Sequence, residues 1–149
     1  MDEQVKLDGF IDRYTPEIAG DARRALTFMT ARLPTATRLV YENYNALVVG
    51  FGASAKVGDV ILSLALYPRW VTLFFLKGMV LPDPAGLLQG SGSTVRSVRL
   101  QPVERLGTPE VAALIDAAVA NASPLPASGE GPMIIKSISA KQRPRRPKS

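Results

Sequence analysis

Two Thr-Pro-Glu triplets, Thr15-Pro16-Glu17 and Thr108-Pro109-Glu110, bracket the middle of this chain and constrain its fold more than any other feature. Each is a helix start. The threonine hydroxyl caps a free backbone N–H, proline fits the first helical position, and the glutamate sits favourably in the dipole of the first turn. The first triplet opens a helix with Ile18, Ala22, Leu26, Met29 and Leu33 on one stripe and Asp21, Arg24 and Arg32 opposite, stopping before Pro34. Upstream, Leu7, Ile11 and Tyr14 also have helical spacing, with Phe10 beside them and Asp8 and Asp12 on the other side. The second triplet opens a helix that turns Val111, Leu114, Ile115 and Ala118 inward and ends near Asn121.

Between the triplets the apolar period shortens to that of strands. Residues 38–42 suit either a strand or a last helical turn. Ala46 to Phe51 is β-rich. Asp59 to Tyr67 and Trp70 to Leu76 form a hairpin about Tyr67-Pro68-Arg69-Trp70, with proline at the favoured second turn position. Val60, Leu62, Leu64 and Leu66 make its less polar face, which should lie under a helix. Thr94 to Gln101 is a further strand. Helices outside and strands within predict an α+β fold: an antiparallel sheet of about four to five strands carrying two N-terminal helices and one C-terminal helix.

The 149 residues suffice for one domain, placed at residues 1–122. Residues 123–132 have the Pro/Gly composition of a linker, and 133–149 form a basic tail expected to be mobile, with Met133 to Ile138 a candidate docked strand. The net charge of +5 belongs to that tail. Residues 1–130 hold 12 Lys and Arg against 13 Asp and Glu, whereas Lys136, Lys141, Arg143, Arg145, Arg146 and Lys148 follow with no acid among them. Such a tail offers weak contact with nucleic acid, an anionic surface or an acidic partner, or serves only as a solubilising end. It carries no aromatic ring for base stacking.

Pro68-Arg69 splits the most apolar region, Val60 to Leu76, into pieces too short for a helical membrane span. The acidic start lacks the basic and apolar regions of a secretory signal. The expectation is therefore a cytoplasmic protein without a transmembrane segment. The chain has no cysteine and no histidine, which excludes disulfides, Ser-His-Asp and Cys-His catalysis, and histidine or thiolate metal sites.

Tyr41-Glu42-Asn43-Tyr44-Asn45-Ala46-Leu47, the strand ending Leu66-Tyr67-Pro68, and Phe75-x-x-Gly78-x-x-Leu81-x-Asp83-Pro84 resemble the YdhG-like family, a bacterial domain of unknown function. So does Leu88-x-Gly90-x-Gly92-x-x-x-Arg96-Ser97-Val98-Arg99-Leu100 with the helix from Pro109; the likeness covers residues 8–121. It implies helices wrapped over a curved antiparallel sheet. Some relatives are described as frataxin-like iron chaperones, so it also implies iron as cargo. Many relatives carry a histidine on the strand before Leu-Tyr-Pro, and this chain departs from them there.

Four groups of residues are candidate sites. Gly50 to Lys56 and Gly90 to Thr94 resemble phosphate loops only in glycine content; neither precedes a helix, and both read better as turns. Asp8 with Asp12, and Glu17 with Asp21, are i, i+4 carboxylate pairs, readable as a weak oxygen-ligand metal patch or as a solvated helix face. Tyr41, Tyr44, Asn45, Tyr67, Arg69 and Lys77, with Trp70 and Phe74, gather at strand ends and suit either a pocket for a small anionic ligand or core rings with polar rims, Trp70 and Phe74 favouring the core. The tail cations are the fourth. Taken with the resemblance, which alone implies a metal cargo, these predict a non-enzymatic binding or carrier domain for a small ligand or weakly held metal ion. The alternative is a scaffold whose tail contacts nucleic acid or an acidic partner, and an enzyme using Tyr, Lys and carboxylates ranks third.

Overall fold

The computed structural model describes residues 2–148. Helix α1 spans Glu3–Ile11, capped by Asp2, whose carboxylate accepts from the Val5 N–H at 2.8 Å. Helix α2 spans Pro16–Arg32 and α3 spans Pro109–Ala120; Thr15 and Thr108 cap them as the triplets predict. Six strands follow one another as β1 (Thr37–Glu42), β2 (Leu47–Gly52), β3 (Val60–Leu66), β4 (Val71–Phe75), β5 (Arg96–Leu100) and β6 (Met133–Ile138). Residues 38–42 are thus strand.

The α+β architecture holds, with one open sheet in the order β5-β4-β3-β2-β1-β6. The sheet differs from the expected four to five antiparallel strands. It has six, and β6 runs parallel to β1, joining Arg38 to Met133 and Leu39 to Ile134. A parallel neighbour needs a long return path, here supplied by everything between β1 and residue 133. Gly131 makes the entry: its N–H donates to the Pro34 carbonyl, and its carbonyl accepts from the Arg38 guanidinium.

Cross-strand register assigns the faces. Val40, Val49, Leu64, Leu73 and Val98 form one row, and Glu42, Leu47, Leu66, Val71 and Leu100 form the next. Both rows face the core, where they meet Leu7 and Ile11 of α1, Ala22 and Met29 of α2, and Leu114 and Ile115 of α3. Removal of this apolar surface from water drives the assembly. One member of these rows is a carboxylate, Glu42, and it is fully buried. The alternate row, Tyr41, Val48, Ala65, Thr72 and Arg99, occupies the opposite face. Trp70 and Phe74, expected in the core, are half-buried outside it; the Arg99 guanidinium stacks 3.6 Å above the Trp70 ring. Among the described residues, no helix is long and apolar enough to cross a membrane.

Candidate functional site

Two turns meet at one end of the sheet. The β1–β2 turn is closed by the Asn43 N–H donating to the Ala46 carbonyl, and the β3–β4 turn by the Tyr67 N–H donating to Trp70. Beneath them lies Tyr14, 1% exposed, whose hydroxyl donates to the Leu66 carbonyl at 2.9 Å and accepts from the Leu47 N–H at 3.1 Å. One phenol thereby ties the α1–α2 junction to β2 and β3. Burial pushes its pKa up, against the lowering effects of the Leu47 bond and Arg145.

The basic segment returns to this end after β6. The Ser139 N–H donates to the Glu42 carbonyl, and the Arg143 N–H donates to that of Tyr44, each at 2.8 Å. Arg145 then inserts, its side chain 2% exposed. Its Nη2 lies 2.6 Å from Glu42 Oε1 and also donates to the Asn43 carbonyl, while Nη1 donates to Tyr44 at 3.2 Å. Arg13 donates to the other Glu42 oxygen at 3.3 Å and bonds Gln142 as well. Arg146 Nε donates to the Arg13 carbonyl at 3.1 Å. Within the segment expected to be a mobile tail, the candidate docked strand Met133–Ile138 is β6, and residues 139–148 lie against the turns as a strap. The reason is electrostatic: a carboxylate in the apolar row needs cations, and the segment provides one that reaches it.

The strap and the turns enclose a groove of about 520 Å³, lined by Asn45, Tyr67, Pro68, Arg143, Pro144 and Lys148. Two cations, a carboxamide and a phenol line it, and among the described residues no carboxylate does. Burial raises the Tyr67 pKa, so the phenol remains an O–H donor at neutral pH.

The structure brings together Asn45 and Tyr67 of the candidate pocket but separates the others. Tyr44 is exposed, and its carbonyl anchors the strap. Tyr41 lies on the opposite sheet face, its buried hydroxyl without a hydrogen-bond partner. Arg69 lines a different depression with Glu17, Asp21, Arg24, Trp70 and Glu104. Lys77 borders a cavity of about 40 Å³ between Ile61, Phe75, Leu81 and Ala118, space for about one or two waters. Of the tail cations, Lys136 donates to the Ala55 carbonyl at 3.4 Å, Lys141 is exposed, Arg145 and Arg146 face the protein, and Arg143 and Lys148 face the groove.

The acidic pairs do not converge. Asp8 accepts from Gln4 at 3.1 Å, Asp12 pairs with Arg23 at 2.8 Å, and Asp21 pairs with Arg24 at 3.0 Å. Glu17 borders the Arg69 depression beside Asp21. Burial raises the Asp21 pKa, partly opposed by Arg24. Among the described residues, no three His, Cys, Asp or Glu side chains are grouped to hold a metal ion. The Gly90 loop spends its nearby cation internally, with Arg96 donating to the Gly92 and Val95 carbonyls.

Residue reading alone missed Glu42, Arg13, Tyr14 and Pro144. For Glu42 no local signal existed: it alternates with Arg38 and Val40, and only the pairing of these three with Phe51, Val49 and Leu47 shows that their face is turned inward. Comparison of the chain with protein-family models, curated proteins and solved structures returns no match.

Proposed function

We propose that this domain is a non-enzymatic binding or carrier protein for a small anionic ligand bearing phosphate or carboxylate groups, held in the groove between the two turns and the strap. One observation carries the reading. Arg143 and Lys148 face the same groove as the Asn45 amide and the Tyr67 hydroxyl, with no carboxylate lining it among the described residues. Guanidinium and ammonium groups supply charge, and the neutral donors supply orientation. The resemblance of residues 8–121 to YdhG-like domains supports a carrier role in general. Iron as the direct cargo has less support, because arginines already engage Asp12 and Asp21.

The test is calorimetric titration of the full chain with inorganic pyrophosphate at physiological salt. Saturable 1:1 binding that Arg143→Ala/Lys148→Ala removes supports the groove. A longer nucleic acid that binds while pyrophosphate does not, with affinity falling steeply as salt rises, instead favours the scaffold reading.

A further inference from the structure

We infer that Glu42 and Arg145 are positioning residues for the anion groove, an ion pair that sets the ligand-facing cations without lining the site. The inference rests on the anion-binding reading above.

Three residues of the groove wall, Arg143, Pro144 and Lys148, come from the strap; the facing wall of Asn45, Tyr67 and Pro68 contains no cation. The positive charge of the site therefore exists only while the strap is docked. Beyond β6 the strap has no sheet partner, so particular bonds must hold it. The Ser139 and Arg143 main-chain bonds are two of these. Arg145 supplies the deepest one, with its guanidinium spanning Glu42 Oε1 and the carbonyls of Asn43 and Tyr44. Neither Glu42 nor Arg145 lines the groove.

The geometry is specific to a planar fork. A lysine at 145 retains one positive charge but cannot span a carboxylate and two carbonyls in one plane. Arg13 reinforces the arrangement by bonding both Glu42 and Gln142, so one buried carboxylate fixes the strap through two arginines. Apparent affinity scales with the fraction of molecules that have the strap docked, so a fall in that fraction to a tenth weakens binding about tenfold. Linkage also runs the other way: a ligand that binds only the docked strap lowers the fraction of molecules with the strap released.

The experiment pairs two readouts on the full chain: pyrophosphate affinity by calorimetry, and cleavage after Lys141 by a lysine-specific protease. Wild type, Arg145→Lys, Arg145→Met, Glu42→Gln and Arg143→Ala/Lys148→Ala are compared. The expected result is about tenfold or greater loss of affinity in Arg145→Lys and Glu42→Gln, with faster cleavage. Pyrophosphate should slow cleavage of the wild type. Arg143→Ala/Lys148→Ala should lose binding yet keep the wild-type cleavage rate. If Arg145→Lys and Glu42→Gln bind as tightly as wild type while Arg143→Ala/Lys148→Ala does not, the positioning role is overturned and the groove stands. If Arg143→Ala/Lys148→Ala binds as wild type does, the groove reading fails and the positioning role with it. Arg145→Lys retains the charge and most of the bulk, so it keeps the test decisive even if Arg145→Met does not fold.

Discussion

Arg145 Nη2 lies 2.6 Å from Glu42 Oε1, the two residues being 103 positions apart, with side chains 2% and 0% exposed. Glu42 shares its cross-strand row with Leu47, Leu66, Val71 and Leu100, so its carboxylate lies where an aliphatic side chain is the ordinary choice. A charge there is tolerated only with partners. Arg145 and the 45% exposed Arg13 provide them.

Removing one partner should cost more than removing both. Arg145→Met leaves a buried carboxylate with only Arg13, at a cost of about 3–5 kcal/mol. For a domain of this size that lowers the melting temperature on the order of 10 °C. Glu42→Leu/Arg145→Met should recover at least half of the loss, because both charges are gone. Urea unfolding of wild type, singles and double checks this. Additive losses in the cycle would contradict a coupled buried pair.

A chain ending at Ile138 keeps β6 but lacks the strap, and should show a melting temperature similar to that of Arg145→Met. A chain ending at Pro132 should fall further, since it also uncovers the β1 edge beside Leu39 and Val40, both 0% exposed. A mobile tail predicts unchanged midpoints for both.

Tyr14→Phe removes a buried hydroxyl that bonds the Leu66 carbonyl and the Leu47 N–H, at a cost of about 1–3 kcal/mol. Burial holds the native Tyr14 pKa above its ordinary value of 10.0. The folded state therefore retains a proton that the unfolded state releases. Stability is fully present below pH 10 and declines as the pH rises through the folded value. Tyr67 contributes in the same direction. Stability measured from pH 8 to 11 should decline less steeply in Tyr14→Phe than in wild type, and equal slopes would count against this assignment.

Gly131→Ala should loosen β6 specifically. A Cβ at Gly131 would overlap the Ala36 carbonyl, so the chain entering β6 must shift away from the residues leading into β1. The expected effect is about 1–3 kcal/mol, with faster amide hydrogen exchange in residues 133–138 while α2 stays protected. Uniform acceleration across the sheet would indicate general destabilisation instead.

The fold was legible where local chemistry is decisive. Thr15 and Thr108 announced α2 and α3, and the Val60/Leu62/Leu64/Leu66 row with Pro68 announced the central hairpin. β6 was harder to read, because Met133 to Ile138 is brief, follows a Pro/Gly stretch and pairs with a strand about a hundred residues earlier, a distance that no local pattern encodes. The site was less legible still. Asn45 and Tyr67 suggested polar groups at strand ends, but their facing wall comes from Arg143 and Lys148, which sequence shows only as charge without position. Tyr41, Arg69 and Lys77 also fall at strand ends or in the hairpin, but strand alternation and turn geometry direct them elsewhere. Glu42 links the two halves through Arg145, and nothing in its local sequence marks it as buried.

Titration of inorganic pyrophosphate into wild type and Arg143→Ala/Lys148→Ala, each checked for an unchanged melting temperature, is the most direct test of the anion groove. Saturable 1:1 binding by wild type that the double variant loses is the predicted result. Equal binding by the two proteins, or none by wild type, would contradict it.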